Sequence, residues 1–378
     1  PRLADAIIQR TERLSVEAGR LLQAAAVLGG RTELDVLRSV AGNEELEGLD
    51  ELARESLVQL DGTRLDIVHP FIAELVEASI PAEARKELHR RAYGVMTERR
   101  APEEVRAAHA FHAGEPMTGL VLLEQTGDGA MERGDHSGAV LAYQRALELA
   151  RRSALESGDI GLDPAISTFS RKLAEALARS GDPAGADGVL REALDLTAPK
   201  SPERAKMLLS LGRIAGRRDR PRDAMRHFGR ALELVADVDP AVESHLQVAI
   251  GRIRRIDGDA PHAANAYRRA LDLFRQANAS ATQLTRTRLE LADALTAAGE
   301  HEAAARELEQ VEEEGLEHGA MSLVARAVGM LGSLDELAGR SREAQRRYEA
   351  AADLAAAAGD APGHRRWLSA SKTLCVSL

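Results

Sequence analysis

One pattern, repeated six times in register, limits what this chain can fold into more than any other feature. From residue 134 onward, a Gly or Asp is followed by Ala at +5, an aromatic or Leu at +9 and Ala at +12. The copies read Gly134, Ala139, Tyr143, Ala146; Gly181, Ala186, Leu190, Ala193; Asp219, Ala224, Phe228, Ala231; Gly258, Ala263, Tyr267, Ala270; Gly299, Ala304, Leu308, Val311; and Gly339, Ala344, Tyr348, Ala351. Upstream of each start a second helical pattern has a small residue at −7: Gly127, Ala174, Gly212, Gly251, Ala292 and Gly332. At −8 it has Thr126, Leu173, Leu211, Ile250, Leu291 and Leu331. Small residues at −7 and +5 let two antiparallel helices approach closely. The large residues at −8 and +9 are expected to fill the space between one pair and the next. Such a pair buries its apolar face only against its neighbours, so the pattern predicts a stack of helical hairpins.

The intervals between Leu-Gly, Gly, Ala, Tyr or Phe, and Ala resemble the tetratricopeptide repeat (TPR). The resemblance covers roughly residues 119–358, and it implies a right-handed α-solenoid. Successive starts lie 47, 38, 39, 41 and 40 residues apart, against about 34 in the usual repeat. The extra residues should lengthen helices or loops, with the largest insertion around Ser153–Pro164. The tryptophan often found in the first helix is absent. A helix near 362–375, carrying Trp367, is expected to cap the last repeat.

The first 115 residues do not follow the repeat. A helix follows Leu14-Ser15, a second carries Leu34, Val36, Leu37 and Val40, and a third segment runs from Leu46 to Leu57. Next, Leu57–Leu60 and Leu65–Val68 flank Asp61-Gly62, the signature of a β-hairpin. Helix–helix–helix–hairpin is the order of a winged helix. The segments "RLSVEAGRLLQAAAVLGG", "LDELARESLVQL", "VHPFIAELV" and "ARKELHRRAY" resemble the region that follows the nucleotide-binding core in STAND-type signalling ATPases. These include large LuxR-type activators and the ATPase-and-TPR extensions of bacterial kinases and cyclases. There a winged helix precedes TPR-like repeats, and "AAHAFHAGEP" is the usual kind of junction. Arg31-Thr32 departs from the family, which often has an apolar-aromatic pair at this point. The resemblance implies that His69, before Pro70, packs against an ATPase core, and His89 similarly.

Composition narrows the function. Fifty basic residues face 60 acidic ones, for a net charge of −10. A broad phosphate footprint normally needs a basic surface, so nucleic-acid binding is disfavoured. The expected recognition helix, Glu47–Glu55, carries four acids and one Arg. Residues 1–118 hold 15 Lys and Arg against 21 Asp and Glu. No apolar run reaches the roughly 18 residues of a membrane span. The single cysteine, Cys375, excludes an internal disulfide and fits a reducing, cytoplasmic setting. None of the five lysines follows a Gly, so the chain contains no Walker A loop. No kinase set or nucleophile elbow occurs either. An enzyme within these residues, or a bound cofactor, is therefore not expected. His109 and His112 lie three apart with Glu115 nearby, but a third metal ligand is not evident. The chain begins mid-pattern at Pro1 without a Met, which reads as a piece of a longer protein.

The repeat register indicates where a partner would bind. In TPR arrays the first helix of each pair lines the concave surface, which places positions −13, −10, −6, −3 and −2 in the groove. In the first repeat these include Glu124, Asp128 and Glu132. In the second to fourth they include Arg171, Arg179, Lys206, Arg213, Arg217, Arg252 and Arg255, with Glu175 as the acid among them. Arg forks suit carboxylates and phosphates. The competing reading is an ordinary solvated face, since 45 of the 50 basic residues are Arg.

The sequence therefore predicts a mainly α chain: a winged-helix-like regulatory domain (1–115), six TPR-like hairpins (116–360) and a capping helix (361–378). The function implied is the partner- or ligand-sensing arm of a larger signalling ATPase. Its groove would hold a protein, an acidic peptide or an anionic ligand, and its first domain would contact an upstream nucleotide-binding domain. A passive interaction scaffold without a switch, or a DNA-binding regulator, are the alternatives.

Overall fold

The structure, a computed structural model, describes residues 7–377 apart from 8, 158–162 and 237. It comprises two compact units, residues 1–182 and 183–378.

The first unit begins with α1 (Val16–Val27), β1 (Arg31–Glu33), α2 (Leu34–Ala41), α3 (Leu49–Arg54), β2 (Val58–Asp61) and β3 (Arg64–Ile67). The strands form one antiparallel sheet in the order β1-β3-β2. The hairpin expected from Asp61-Gly62 is present, with Val58 opposite Ile67 and Asp61 opposite Arg64. The sequence order omitted one element: Arg31-Thr32 begins β1, which pairs Arg31 with Asp66 and Glu33 with Arg64. Salt bridges follow that register, Arg31–Asp66 at 3.1 Å and Arg64–Glu33 at 2.7 Å. With three residues and only Thr32 buried, β1 is too short to leave a period-two signal. Leu21, Leu22, Leu37, Leu52 and Leu65 fill the core beneath the sheet. The left-handed Gly48 (φ 91°) begins α3 directly against α1, where a Cβ would lie 2.4 Å from the Ala18 amide nitrogen. From residue 70 on, every described element is helical. In this unit these are α4 (Pro70–Ser79), α5 (Ala82–Glu98), α6 (Glu103–His112), α7 (Pro116–Glu132), α8 (His136–Ser157) and α9 (Asp163–Ser180). Part of the insertion expected at 153–164 is extra helix, since α8 has 22 residues. Its residues 158–162 lie outside the described ones.

The second unit contains α10 (Pro183–Leu196), α11 (Pro202–Arg217), α12 (Pro221–Val235), α13 (Pro240–Ile256), α14 (Ala260–Gln276), α15 (Ala281–Ala297), α16 (His301–Glu317), α17 (Met321–Leu337), α18 (Ser341–Ala357) and α19 (Ala361–Ser377). Pairs α11/α12, α13/α14, α15/α16 and α17/α18 pack as hairpins, and adjacent pairs contact each other. Each of the six helices α13 to α18 has 17 residues, as does α19, and this length in the hairpins accounts for the long repeat spacing. The start residue of each repeat ends the first helix in the left-handed region. Gly258, Gly299 and Gly339 have φ of 81°, 79° and 75°, conformations that cost Gly little. Asp219 holds the same position at φ 55°, which Asp tolerates better than most residues.

Every +5 alanine is fully buried, as the register predicts. The +9 residue behaves differently from expectation. It rests on the −7 residue of its own pair, not only between pairs. A Cβ on Gly127 would lie 2.3 Å from the Tyr143 ring, and one on Gly212 would lie 2.2 Å from Phe228. Gly251 faces Tyr267 at 2.8 Å and Gly332 faces Tyr348 at 3.0 Å in the same way. Where −7 is Ala, at Ala174 and Ala292, the +9 residue is Leu190 or Leu308. The volume removed on one helix is thus added on the other, which keeps the interface close-packed.

Proline at the first turn and a capping side chain start several helices. Asp239 Oδ1 accepts from the Val242 amide at 3.0 Å to begin α13. Asp239→Ala is expected to cost about 1 kcal/mol, the usual value for a lost N-cap. Chemical denaturation checks it, and a change below a few tenths of a kcal/mol would show that Pro240 alone fixes this helix start.

Candidate functional site

In the second unit the first helices α11, α13 and α15 carry the groove positions predicted from the register. Position −10 is buried in three successive repeats, as Leu209, Val248 and Leu289, and so belongs to the interior. Arg213 and Arg217 are exposed on α11, and Lys206 is half-buried, held by Glu203 at 2.7 Å. Arg252 and Arg255 are exposed on α13. Arg252 pairs with Glu290 at 3.0 Å and Arg255 with Asp293 at 3.3 Å, both acids on α15.

These pairs change the electrostatic reading. The face is a row of cations partly neutralised by the next repeat, whose acids stand at −9 and −6 from Gly299. Tyr267 adds a further contact. Its ring sits on Gly251 and its hydroxyl donates to Glu290 at 3.2 Å. Burial, together with the nearby Glu290 carboxylate, raises the Tyr267 pKa, so the hydroxyl stays protonated. Glu290 is thereby held on two sides, and it holds Arg252. His245 lies beside this row, bonded to Gln283 at 3.2 Å and edge-on to Phe274. Burial, then the Arg213 charge, lower its pKa, so it is neutral near pH 7. The face thus carries guanidinium groups beside fixed acids, Arg252 with Glu290 and Arg255 with Asp293.

Arg171 and Arg179 belong to the first unit. Arg179 bonds Glu175 one turn away at 2.8 Å. A related constellation there was missed in the sequence. Lys172 reaches both Asp128 and Glu124 at 2.7 Å, and the Tyr143 hydroxyl donates to Asp128 at 2.6 Å. Two of the three acids expected to line the first repeat, Glu124 and Asp128, are therefore already paired to a lysine, Lys172. Its position, −9, is the one Glu290 occupies three repeats later.

One of the four acids of the expected recognition helix is engaged within the module, and Glu47, Asp50 and Glu55 remain exposed. Glu51 on α3 accepts from the Ser15 amide at 2.9 Å and from the Ser15 hydroxyl. Those bonds lower the Glu51 pKa. Among the described residues no group of three or more His, Cys, Asp or Glu is arranged to hold a metal ion. No described helix is long and apolar enough to cross a membrane.

Comparison with known proteins agrees with the fold. Residues 200–357 match the family described as soluble NSF attachment protein, SNAP. The chain resembles the structure of a signal transduction ATPase with numerous domains (STAND) from Pyrococcus horikoshii, one with a tetratricopeptide repeat sensor. The TM-score is 0.57 at 14% identity over 96% of this chain and 54% of that one. The chain thus spans about half the length of that protein. It also resembles the apo form of RapI, with a TM-score of 0.56 at 13% identity over 68% of this chain and 71% of that one. Among curated proteins none matches. The chain is a mainly helical, TPR- and SNAP-like repeat protein. Folds of this kind typically serve protein–protein interaction.

Proposed function

We propose that this chain is the partner-sensing arm of a larger signalling ATPase, and that the first-helix face of its second unit binds an acidic protein or peptide. The observation that carries the reading is the row Lys206, Arg213, Arg217, Arg252 and Arg255 on adjacent first helices. Arg252 and Arg255 in it are partly neutralised by Glu290 and Asp293, which an anionic partner would displace. Arg171 and Arg179 would add to the same function from the first unit. Residues 1–115 form a winged-helix-like regulatory module in this reading, six hairpins occupy 116–360, and 361–378 is the cap. The order helix, strand, helix, helix, strand, strand supports the winged helix. The exposed acids Glu47, Asp50 and Glu55 on and beside α3 argue against its use on DNA. The module would instead contact an upstream nucleotide-binding domain, in the cytoplasm, with no catalysis or cofactor in these residues. The TPR sensor named for the P. horikoshii protein supports the assignment by analogy of fold.

A pull-down and peptide-array screen tests the binding face. The charge-reversed pair Arg213→Glu/Arg252→Glu should lose anionic partners that the pair Arg145→Glu/Arg230→Glu, exposed on second helices, retains. Equal loss by both pairs, or loss by neither, returns the face to an ordinary solvated surface.

A further inference from the structure

Outside that face, three histidines meet where α6 packs between α5 and α7. His89 comes from α5, and His109 and His112 from α6. His89 and His109 are buried, at 3% and 8% exposure. Their Nδ1 atoms lie 3.1 Å apart. The His112 ring stacks on His89, with centroids 4.6 Å apart. The far nitrogen of His89, Nε2, lies 3.4 Å from a Glu77 carboxylate oxygen on α4.

This geometry limits how many protons the cluster can hold. Two Nδ1 atoms at 3.1 Å form a bond only if one donates and the other accepts. If both rings were imidazolium, each Nδ1 would carry a hydrogen and the two would oppose each other. The stack sets the same limit between His89 and His112, where two cations would meet face to face. Glu77 can balance one positive charge, on His89. The remaining charged groups around the cluster are cations or are already paired. Arg85 on α5 and Arg152 on α8 both disfavour charge on His112. Arg152 lies over the Phe111 ring at 5.3 Å. At the end of α6, Arg90 donates to the Ala113 carbonyl at 3.5 Å, and Lys86 is engaged by Glu83.

We propose that this cluster is a proton-sensitive joint that holds α6 against α5 at neutral pH and loosens on acidification. The joint lies where the N-terminal module meets the helical stack, so its state governs how firmly the two are coupled. It does not depend on the partner-binding reading above.

The sign follows from which state binds more protons. Burial, then the neighbouring rings, lower His109 from 6.5 to about 4, and His112 shifts in the same direction. With α6 detached, both rings take protons near 6.5. The opened state therefore binds more protons between these values, and stability of the joint rises with pH. It is complete above 6.5 and is lost as pH falls toward about 4. Each resisting ring makes opening about 10-fold easier per pH unit inside its window. Glu77 has its pKa lowered from 4.5, chiefly by the hydrogen bond to His89, so it stays charged over most of that window.

Hydrogen exchange on the whole chain at pH 7.5 and 5.0, corrected for the intrinsic amide rate, tests the proposal. Protection across α6 should fall at least 10-fold relative to α17, which contains no histidine. His227 and His245 also resist protonation in the second unit, so the readout must be local. In His109→Gln/His112→Gln, which keeps polar groups but cannot titrate, the extra loss should disappear. Should that variant fold poorly, ring proton NMR on the unaltered chain decides instead, with His109 titrating well below 6.5. Protection of α6 that ignores pH, the same loss in the variant, or a His109 titrating near 6.5 would each overturn it.

Discussion

Trp367→Ala should destabilise the end of the repeat stack by about 3–5 kcal/mol, the usual cost of emptying a buried aromatic site. Trp367 is 4% exposed. Its indole lies flat on α17, where a Cβ on Gly329 would come within 2.3 Å of it. It stacks on Tyr348 with centroids 6.0 Å apart, and Arg366 covers it at 4.5 Å. The ring closes a core that includes Val324, Val328 and Tyr348. The opposite face of α19 exposes Arg365, Ser369 and Lys372, a polar surface that suits the capping role expected of this helix. Because each repeat is stabilised by its neighbours, hydrogen-exchange protection should fall most in α17 and α18 and least in α11 and α12. A loss below 1 kcal/mol, or one spread evenly over the unit, would contradict a capping role.

Gly212→Ala is expected to cost about 2 kcal/mol. The added methyl would lie 2.2 Å from the Phe228 ring, an overpacking penalty near the upper end of about 1–3 kcal/mol. Replacing a helical Gly by Ala returns roughly 1 kcal/mol. Phe228→Leu should rescue the variant, because Ala with Leu is the pairing the chain itself uses at Ala292 and Leu308. Denaturant melts of both single variants and the double variant measure the coupling. Additive effects would mean that the ring does not depend on the glycine.

Much of this packing was legible in the sequence, because each repeat must solve the same steric problem. The Gly or Asp at each start and the +5 Ala read correctly for that reason. The role of the +9 residue was misplaced, although the matching of Gly to an aromatic and Ala to Leu carried the information. β1 left no signal, being three residues with one buried side chain. The partners of Arg252 and Arg255 were hidden for another reason. Glu290 and Asp293 are 38 residues further on, and which acid meets which Arg depends on how adjacent first helices are offset. Residue spacing within one repeat does not encode that offset. His89 likewise joins His109 and His112 only through the packing of α5 on α6.

The offset provides the most direct test of the proposed binding face. Fluorescence anisotropy with a labelled deca-glutamate peptide would compare the unaltered second-unit face with three variants. Arg213→Glu/Arg252→Glu should weaken binding by about 10-fold or more, and Arg145→Glu/Arg230→Glu should change it little, as expected for exposed charges on and off the site. Glu290→Gln keeps an acceptor for Tyr267 but releases Arg252 from its counter-charge, so it should tighten binding. All affinities should weaken as salt rises. Weaker binding in Glu290→Gln, or equal affinities for the two charge-reversed pairs, would contradict the account.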